Sequence, residues 1–254
     1  MSITSQAELF GMQQAAQAVA QTLRAMKAFA QPGMSTWELD QFGAEMLRAH
    51  GARPAPKLAY DFPSTACISI NEEFCHGIAH PKRILQEGDL VNIDVSAELN
   101  GFWADNGCSF VLGKDVHGHQ ALVDASKAIL AKALKSLRSG MKIADLGGLM
   151  EQEAKRRGYV VVKNLGGHGI GRQLHEQPDE LLNYRNRFDQ RRFRKNSVLA
   201  IETFIATRST GTRTLADGWT LVGNRGGFMA QHEHTVVVTD GAPLILTAGN
   251  GIFD

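Results

Sequence analysis

The chain is poor in cysteine. Cys67, Cys75 and Cys108 are the only three in 254 residues, and no pair has CxxC spacing. An odd count without that spacing favours free thiols in a reducing compartment over a disulfide framework. Long apolar runs are also missing. None approaches the roughly 18 to 20 residues of a membrane span. The N-terminal stretch carries Gln and charged residues throughout, so it lacks the apolar core of a signal peptide. A cytoplasmic location with no membrane partner is the expectation. Excess charge is absent too: 27 basic and 26 acidic residues leave a formal net charge of +1. No global field recruits nucleic acid, and no specific nucleic-acid partner is expected. The one basic run, "RNRFDQRRFRK" (185–195), reads as a solvated surface loop, with a phosphate-binding patch as the minority reading. With 43% hydrophobic and 21% charged residues, the composition is that of a globular protein, for which a monomer is the default.

What is present is an internal repeat. Residues 6–30 read as a helix with Phe10, Met12, Val19, Leu23, Met26 and Phe29 on its apolar side, ended by "QPG". A second helix follows, opened by a Ser35/Glu38 capping box and stopped by Gly51. "GMSTWELDQFGAEMLRAHG" (33–51) then aligns without gaps to "GMKIADLGGLMEQEAKRRG" (140–158), again after a long Ala-rich helix at about 119–138. Two copies suggest one pseudo-symmetric domain over 1–254, with halves at about 5–113 and 119–247.

The repeat carries acids. Asp94 and Asp105 sit in two β-prone runs joined by Asn100-Gly101, a strong hairpin signal. A two-residue turn there pairs Ser96 with Asp105 and Asp94 with Gly107. The two acids become diagonal neighbours roughly 5 to 8 Å apart at their β-carbons. "NSVLAIE" (196–202) matches "GDLVNID" (88–94), so Glu202 reads as the counterpart of Asp94, and Glu233 in "QHEHTVVVTDG" as that of Asp105. Four carboxylates converging in a core need cations. Two divalent ions balance them, and a mostly oxygen donor set with one imidazole suits Mn, Co, Fe or Zn. The candidate imidazoles are His168, set among Gly166, Gly167, Gly169 and Gly171, then His175 and His76. His80, His117 and His119 are expected on the surface. A GxGxxG nucleotide loop is the weaker reading of the glycines, because no βαβ context follows. Paired ions with nearby histidines imply metal-assisted hydrolysis, with a carboxylate shuttling the proton.

"CISINEEFCHG", "GDLVNIDVSAELNGFWAD", "GGHGIGRQLHEQP", "LAIE" and "AQHEHTVVVTDG" together resemble the type I methionine aminopeptidases, over nearly the whole chain. The resemblance implies an α+β pita-bread fold, with helices packed on a curved, mostly antiparallel sheet. It implies a hydrolase that removes N-terminal methionine from peptides and nascent chains, preferring a small second residue. Asp94, Asp105, His168, Glu202 and Glu233 would hold two divalent ions, Asp105 and Glu233 bridging them, Asp94 on one and His168 with Glu202 on the other. Glu202 would also be the general base. His175 would contact the substrate carbonyl and His76 the scissile amide. Tyr60, Phe62, Cys67 and Trp219 would wall a pocket for the thioether side chain, with plain core packing as the other reading of each. Departures from the family pattern include Thr203 where Pro is usual after the ligand, Leu174 where Phe is common, and a longer loop, "HGIAHP", after His76. They bear on preference and rate, since no ligand is lost. Two rival readings are an aminopeptidase of the same fold acting before proline, and a silent binding module touching the ribosome through "RNRFDQRRFRK".

Overall fold

The computed structural model describes residues 1–253. Helix α1 (Gln6–Phe29) starts where the Ser5 side chain accepts a hydrogen bond from the Glu8 amide, and it buries Met12, Ala15, Ala16, Val19, Leu23 and Met26 along one stripe. Helix α2 (Thr36–Ala49) has the expected capping box, Ser35 and Glu38 satisfying each other's main-chain amides. A short helix α3 (Ala55–Tyr60) follows. The second half repeats the pair as α4 (Gln120–Ser136) and α5 (Ile143–Arg156).

Between and beneath these helices lie strands β1 (Cys67–Ile70), β2 (Leu90–Leu99), β3 (Phe102–Val111), β4 (Gly166–Gly169), β5 (Glu176–Leu182), β6 (Val198–Ala206) and β7 (Met229–Val237). They form one antiparallel sheet in the order β1-β2-β3-β7-β6-β4-β5. The β2–β3 hairpin turns at Asn100-Gly101, whose φ values of 52° and 81° fit a type I′ turn. Its register pairs Ser96 with Asp105 and Asp94 with Gly107, as the parity of the sequence predicts.

One face of the sheet is covered by helices in two separate cores. Against β2 and β3, α1 and α2 bury Leu23, Met26, Leu39, Ile93 and Val95. Against β6 and β7, α4 and α5 bury Ile129, Leu130, Leu146, Leu199 and Ile201. Each fully buried Ile or Leu contributes about 1.5–3 kcal/mol of transfer free energy. The strands are therefore pinned from behind, and their other face is free to carry polar groups. The strands β3 and β7 join the halves, with Cys108 opposite His232.

Two surface expectations change. His119 is buried at the start of α4, where its ring packs 4.3 Å from that of Phe228. In the basic run Phe188 is exposed, but Phe193 inserts into the second core and ties the loop down. Among the described residues no helix is long and apolar enough to cross a membrane.

Candidate active site

The uncovered face of the sheet carries the acids. Asp94 and Asp105 project from β2 and β3, Glu202 and Glu233 from β6 and β7, and His168 from β4. The β4 glycines make the last placement possible. A β-carbon on Gly167 would stand 2.3 Å from the Ala200 carbonyl oxygen, and one on Gly169 2.5 Å from that of Gln177. Only glycine lets β4 lie close enough to its neighbours to bring His168 to the acids.

The five side chains form two overlapping groups. Ligand atoms of Asp105, His168 and Glu233 lie within 4.8 Å of one another, and so do those of Asp94, Glu202 and Glu233. Glu233 belongs to both. Glu202 meets Asp94 here, whereas the family resemblance sets it beside His168. The pseudo-symmetry is also offset. Glu202 stands directly opposite Glu233, whereas the residue opposite Asp105 is Ser96. By register Glu202 thus corresponds to Ser96, two residues from Asp94.

A cation fits this donor set. The buried oxygens Oδ1 of Asp105 and Oε1 of Glu233 have no hydrogen-bond partner, which is costly for carboxylates unless something positive lies near. His168 Nδ1 lies 3.0 Å from the Gly169 carbonyl oxygen, to which it donates, leaving the Nε2 lone pair facing Asp105 at 3.9 Å. That is the tautomer a metal ligand needs. Gln231, which the sequence reading passed over, marks the focus. Its Nε2 lies 3.0 Å from Asp94, 2.9 Å from Glu202 and 3.1 Å from Glu233. An amide nitrogen has two hydrogens, so it cannot satisfy three carboxylates. Asn92 holds the other end of this amide at 2.9 Å. Strand parity is the signal that could have found Gln231, since it lies two residues before Glu233.

Burial pushes the carboxyls of Asp105, Glu202 and Glu233 well above the usual range, and neighbouring carboxylates push them further; burial raises Asp94 as well. Without a cation the cluster therefore retains protons that a metal must displace. Metal uptake is expected to release protons, and apparent affinity to rise with pH. Calorimetric titration in two buffers of different ionisation enthalpy measures this. A binding enthalpy independent of buffer would mean the carboxyls are already ionised.

Around the cluster opens a cavity of about 430 Å³, lined by Tyr60, Phe62, Cys67, His76, His175 and Trp219 among others. All the wall residues named from the sequence therefore share one space. Phe62 and Trp219 meet edge to face at 5.2 Å. Cys67 sits opposite Asp94 in the ladder, and burial raises its thiol well above the usual value. Cys75, a further wall residue, sits on a short strand (Glu73–Cys75) outside the main sheet, which parity could not place. Asp40 acts from behind. Its buried carboxylate accepts the Thr65 and Ala66 amides at 2.9 Å and fixes the start of β1.

The two outer histidines are neutral at pH 7. Burial lowers both, and His175 lowers His76 further. His76 holds a left-handed backbone at φ 57°, an uncommon conformation for a side-chain-bearing residue. The His175 ring lies 4.1 Å from that of His168, and the Tyr60 hydroxyl bonds its Nδ1. The hydroxyl can donate to Nδ1 or accept from it; when it donates, the imidazole proton sits on Nε2, available to an acceptor in the cavity. Leu174 lines the cavity, but Thr203 does not. Its hydroxyl lies on the opposite face, 2.6 Å from Ser126 Oγ.

The pattern of metallopeptidase family M24 is matched over residues 11–240. A Bacillus subtilis (strain 168) protein named methionine aminopeptidase 2 is 42% identical over 247 residues, covering 97% of this chain and 99% of its own. A methionine aminopeptidase of Staphylococcus epidermidis (strain ATCC 12228) is 38% identical, covering 97% of this chain and 98% of its own. The crystal structure of a Thermotoga maritima methionine aminopeptidase matches with a TM-score of 0.92 at 30% identity, covering 97% of this chain and 99% of that one. A Pyrococcus furiosus prolidase shares the fold alone, with a TM-score of 0.77 at 21% identity and 65% of its chain covered. The chain belongs to the type I methionine aminopeptidases of metallopeptidase family M24, with their pita-bread fold.

Proposed function

We propose that the chain removes N-terminal methionine from peptides and nascent proteins in the cytoplasm, preferring a small second residue. The observation that carries this is the convergence of four buried carboxylates and His168 at one cavity, beside His76 and His175. The names of the Bacillus and Staphylococcus relatives support methionine as the residue removed.

In this reading Asp94, Asp105, His168, Glu202 and Glu233 hold two divalent ions, of Co, Mn, Fe or Zn. When bound, such ions polarise the scissile carbonyl and lower the pKa of water. Glu202 takes the proton from the attacking water and passes it to the leaving amine. His175 donates its Nε2 hydrogen to the carbonyl oxygen as negative charge develops there. His76 hydrogen-bonds near the scissile amide. Tyr60, Phe62, Cys67 and Trp219 exclude water from an unbranched thioether side chain.

The test is a peptidase assay on Met-Ala-Ser with chelator-stripped protein, repeated after adding Co, Mn or Fe. Release of free methionine is expected only with metal. Stoichiometric metal binding without turnover would favour a different first or second residue, such as a bond before proline, or a silent binding role. Failure to bind metal would overturn the site itself.

A further inference from the structure

Of the three histidines at the cavity, two are aimed by a hydrogen bond on the ring. His168 Nδ1 meets the Gly169 carbonyl, and His175 Nδ1 the Tyr60 hydroxyl. The His76 imidazole meets no such partner among the described residues; only its carbonyl is bonded, by the Thr220 hydroxyl at 3.5 Å. Its direction must therefore come from its backbone, which is the left-handed one at φ 57°. Such a conformation persists in a residue with a side chain only where the neighbours over-determine it. Arg83 lies at the centre of those neighbours. Its guanidinium bonds the Glu73 carboxylate, which precedes His76, and the Ile78 carbonyl, which follows it. Both terminal nitrogens also donate to the Ile68 carbonyl on β1 at 3.3 Å. A planar fork can join acceptors in this way, where a single ammonium cannot hold the same geometry. The fork is itself anchored. The Arg83 carbonyl accepts the Thr36 amide at 2.8 Å at the start of α2, and the Glu73 carboxylate also accepts the Ile70 amide at 2.9 Å. Next to His76, Gly77 presses on β1, where an added β-carbon would stand 2.2 Å from the Ile68 oxygen.

We infer that Arg83 is a positioning residue for His76: by tying Glu73, Ile78 and Ile68 together, it holds the left-handed turn that aims the imidazole at the scissile amide. The inference deepens the aminopeptidase reading and rests on it for the role of His76. Arg83 does not line the cavity, so it acts through His76 and not on the substrate. Its loss should therefore lower kcat, since misplacing a group that bonds the reacting amide costs rate more than binding.

The experiment is a double-mutant cycle on the metal-loaded enzyme, with Arg83→Met and His76→Ala alone and together, assayed on Met-Ala-Ser. Arg83→Met keeps most of the stem and is expected to lower kcat about 10- to 10²-fold, with KM changed by less than about twofold. In the His76→Ala background the same change should alter kcat by less than about twofold, because no imidazole is left to aim. Arg83→Lys keeps the charge without the fork, so its kcat should fall between those of wild type and Arg83→Met. The cycle is run with Arg83→Lys if Arg83→Met does not fold. Thermal unfolding follows any merely structural role, which should lower the melting temperature equally in both backgrounds. An equal loss of kcat with and without His76 overturns the proposal alone, because Arg83 would then act through β1 and Cys67 or on the fold at large. Unchanged kcat in both Arg83 variants overturns it as well. If His76→Ala leaves kcat unchanged, or the wild type releases no methionine, the aminopeptidase reading of this site fails, and this proposal with it.

Discussion

Replacing Glu202 with Gln is expected to lower kcat on a Met-Ala peptide by about 10²- to 10⁴-fold, the range of a lost general acid–base group. The substitution keeps the volume of a side chain that is 6% exposed, and it keeps an oxygen toward its neighbours. It removes the ability to take up a proton. It also removes one of four mutually repelling carboxylates. Metal-free protein should therefore melt no lower than the wild type, and loss of activity cannot be ascribed to unfolding. Parallel measurements of kcat and of thermal unfolding after chelation check both halves. Unchanged turnover would exclude Glu202 as the proton shuttle. A lowered melting temperature would mean that its carboxylate is structurally required.

Much of this site was legible because its determinants are local. Asn100-Gly101 fixes the hairpin register, and parity then carries Asp94 and Asp105 to one face without reference to the rest of the chain. The capping box at Ser35 works in the same way, through bonds spanning three residues. What sequence reading missed depends on which strand edges meet. Gln231 reaches Asp94 only because β7 lies two strands from β2. Glu202 was matched to Asp94 by order along the chain, yet the ladder places it opposite Glu233. Thr203, a departure beside the candidate ligand Glu202, reads in the sequence as bearing on preference and rate. Alternation along β6 turns it to the helix side, where Ser126 from α4 receives it. His119 is buried by a contact with Phe228, more than a hundred residues away. Parity assigns Gln231 and Thr203 to their faces, but the partners they meet there are long-range contacts that periodicity does not encode.

The second large effect is expected at His175. A His175→Ala change should lower kcat by about 10²- to 10³-fold, as for removal of one donor to a developing oxyanion. KM should move less, because a neutral donor gains strength mainly as charge builds on the carbonyl oxygen. Two observations favour a donor over a base. Burial lowers its pKa, so the ring is neutral at working pH. The Tyr60 hydroxyl is bonded to Nδ1, and in the sense in which it donates there the proton sits on Nε2, the nitrogen left free for substrate. Tyr60→Phe should accordingly show a smaller loss of the same kind, since the ring keeps its packing but the tautomer is no longer fixed. Steady-state kinetics of both variants decide the matter. If His175→Ala raises KM and leaves kcat unchanged, the histidine binds substrate and transition state equally. If Tyr60→Phe has no effect while His175→Ala does, the imidazole is oriented by something other than Tyr60, and the 4.1 Å contact with the His168 ring is the remaining restraint.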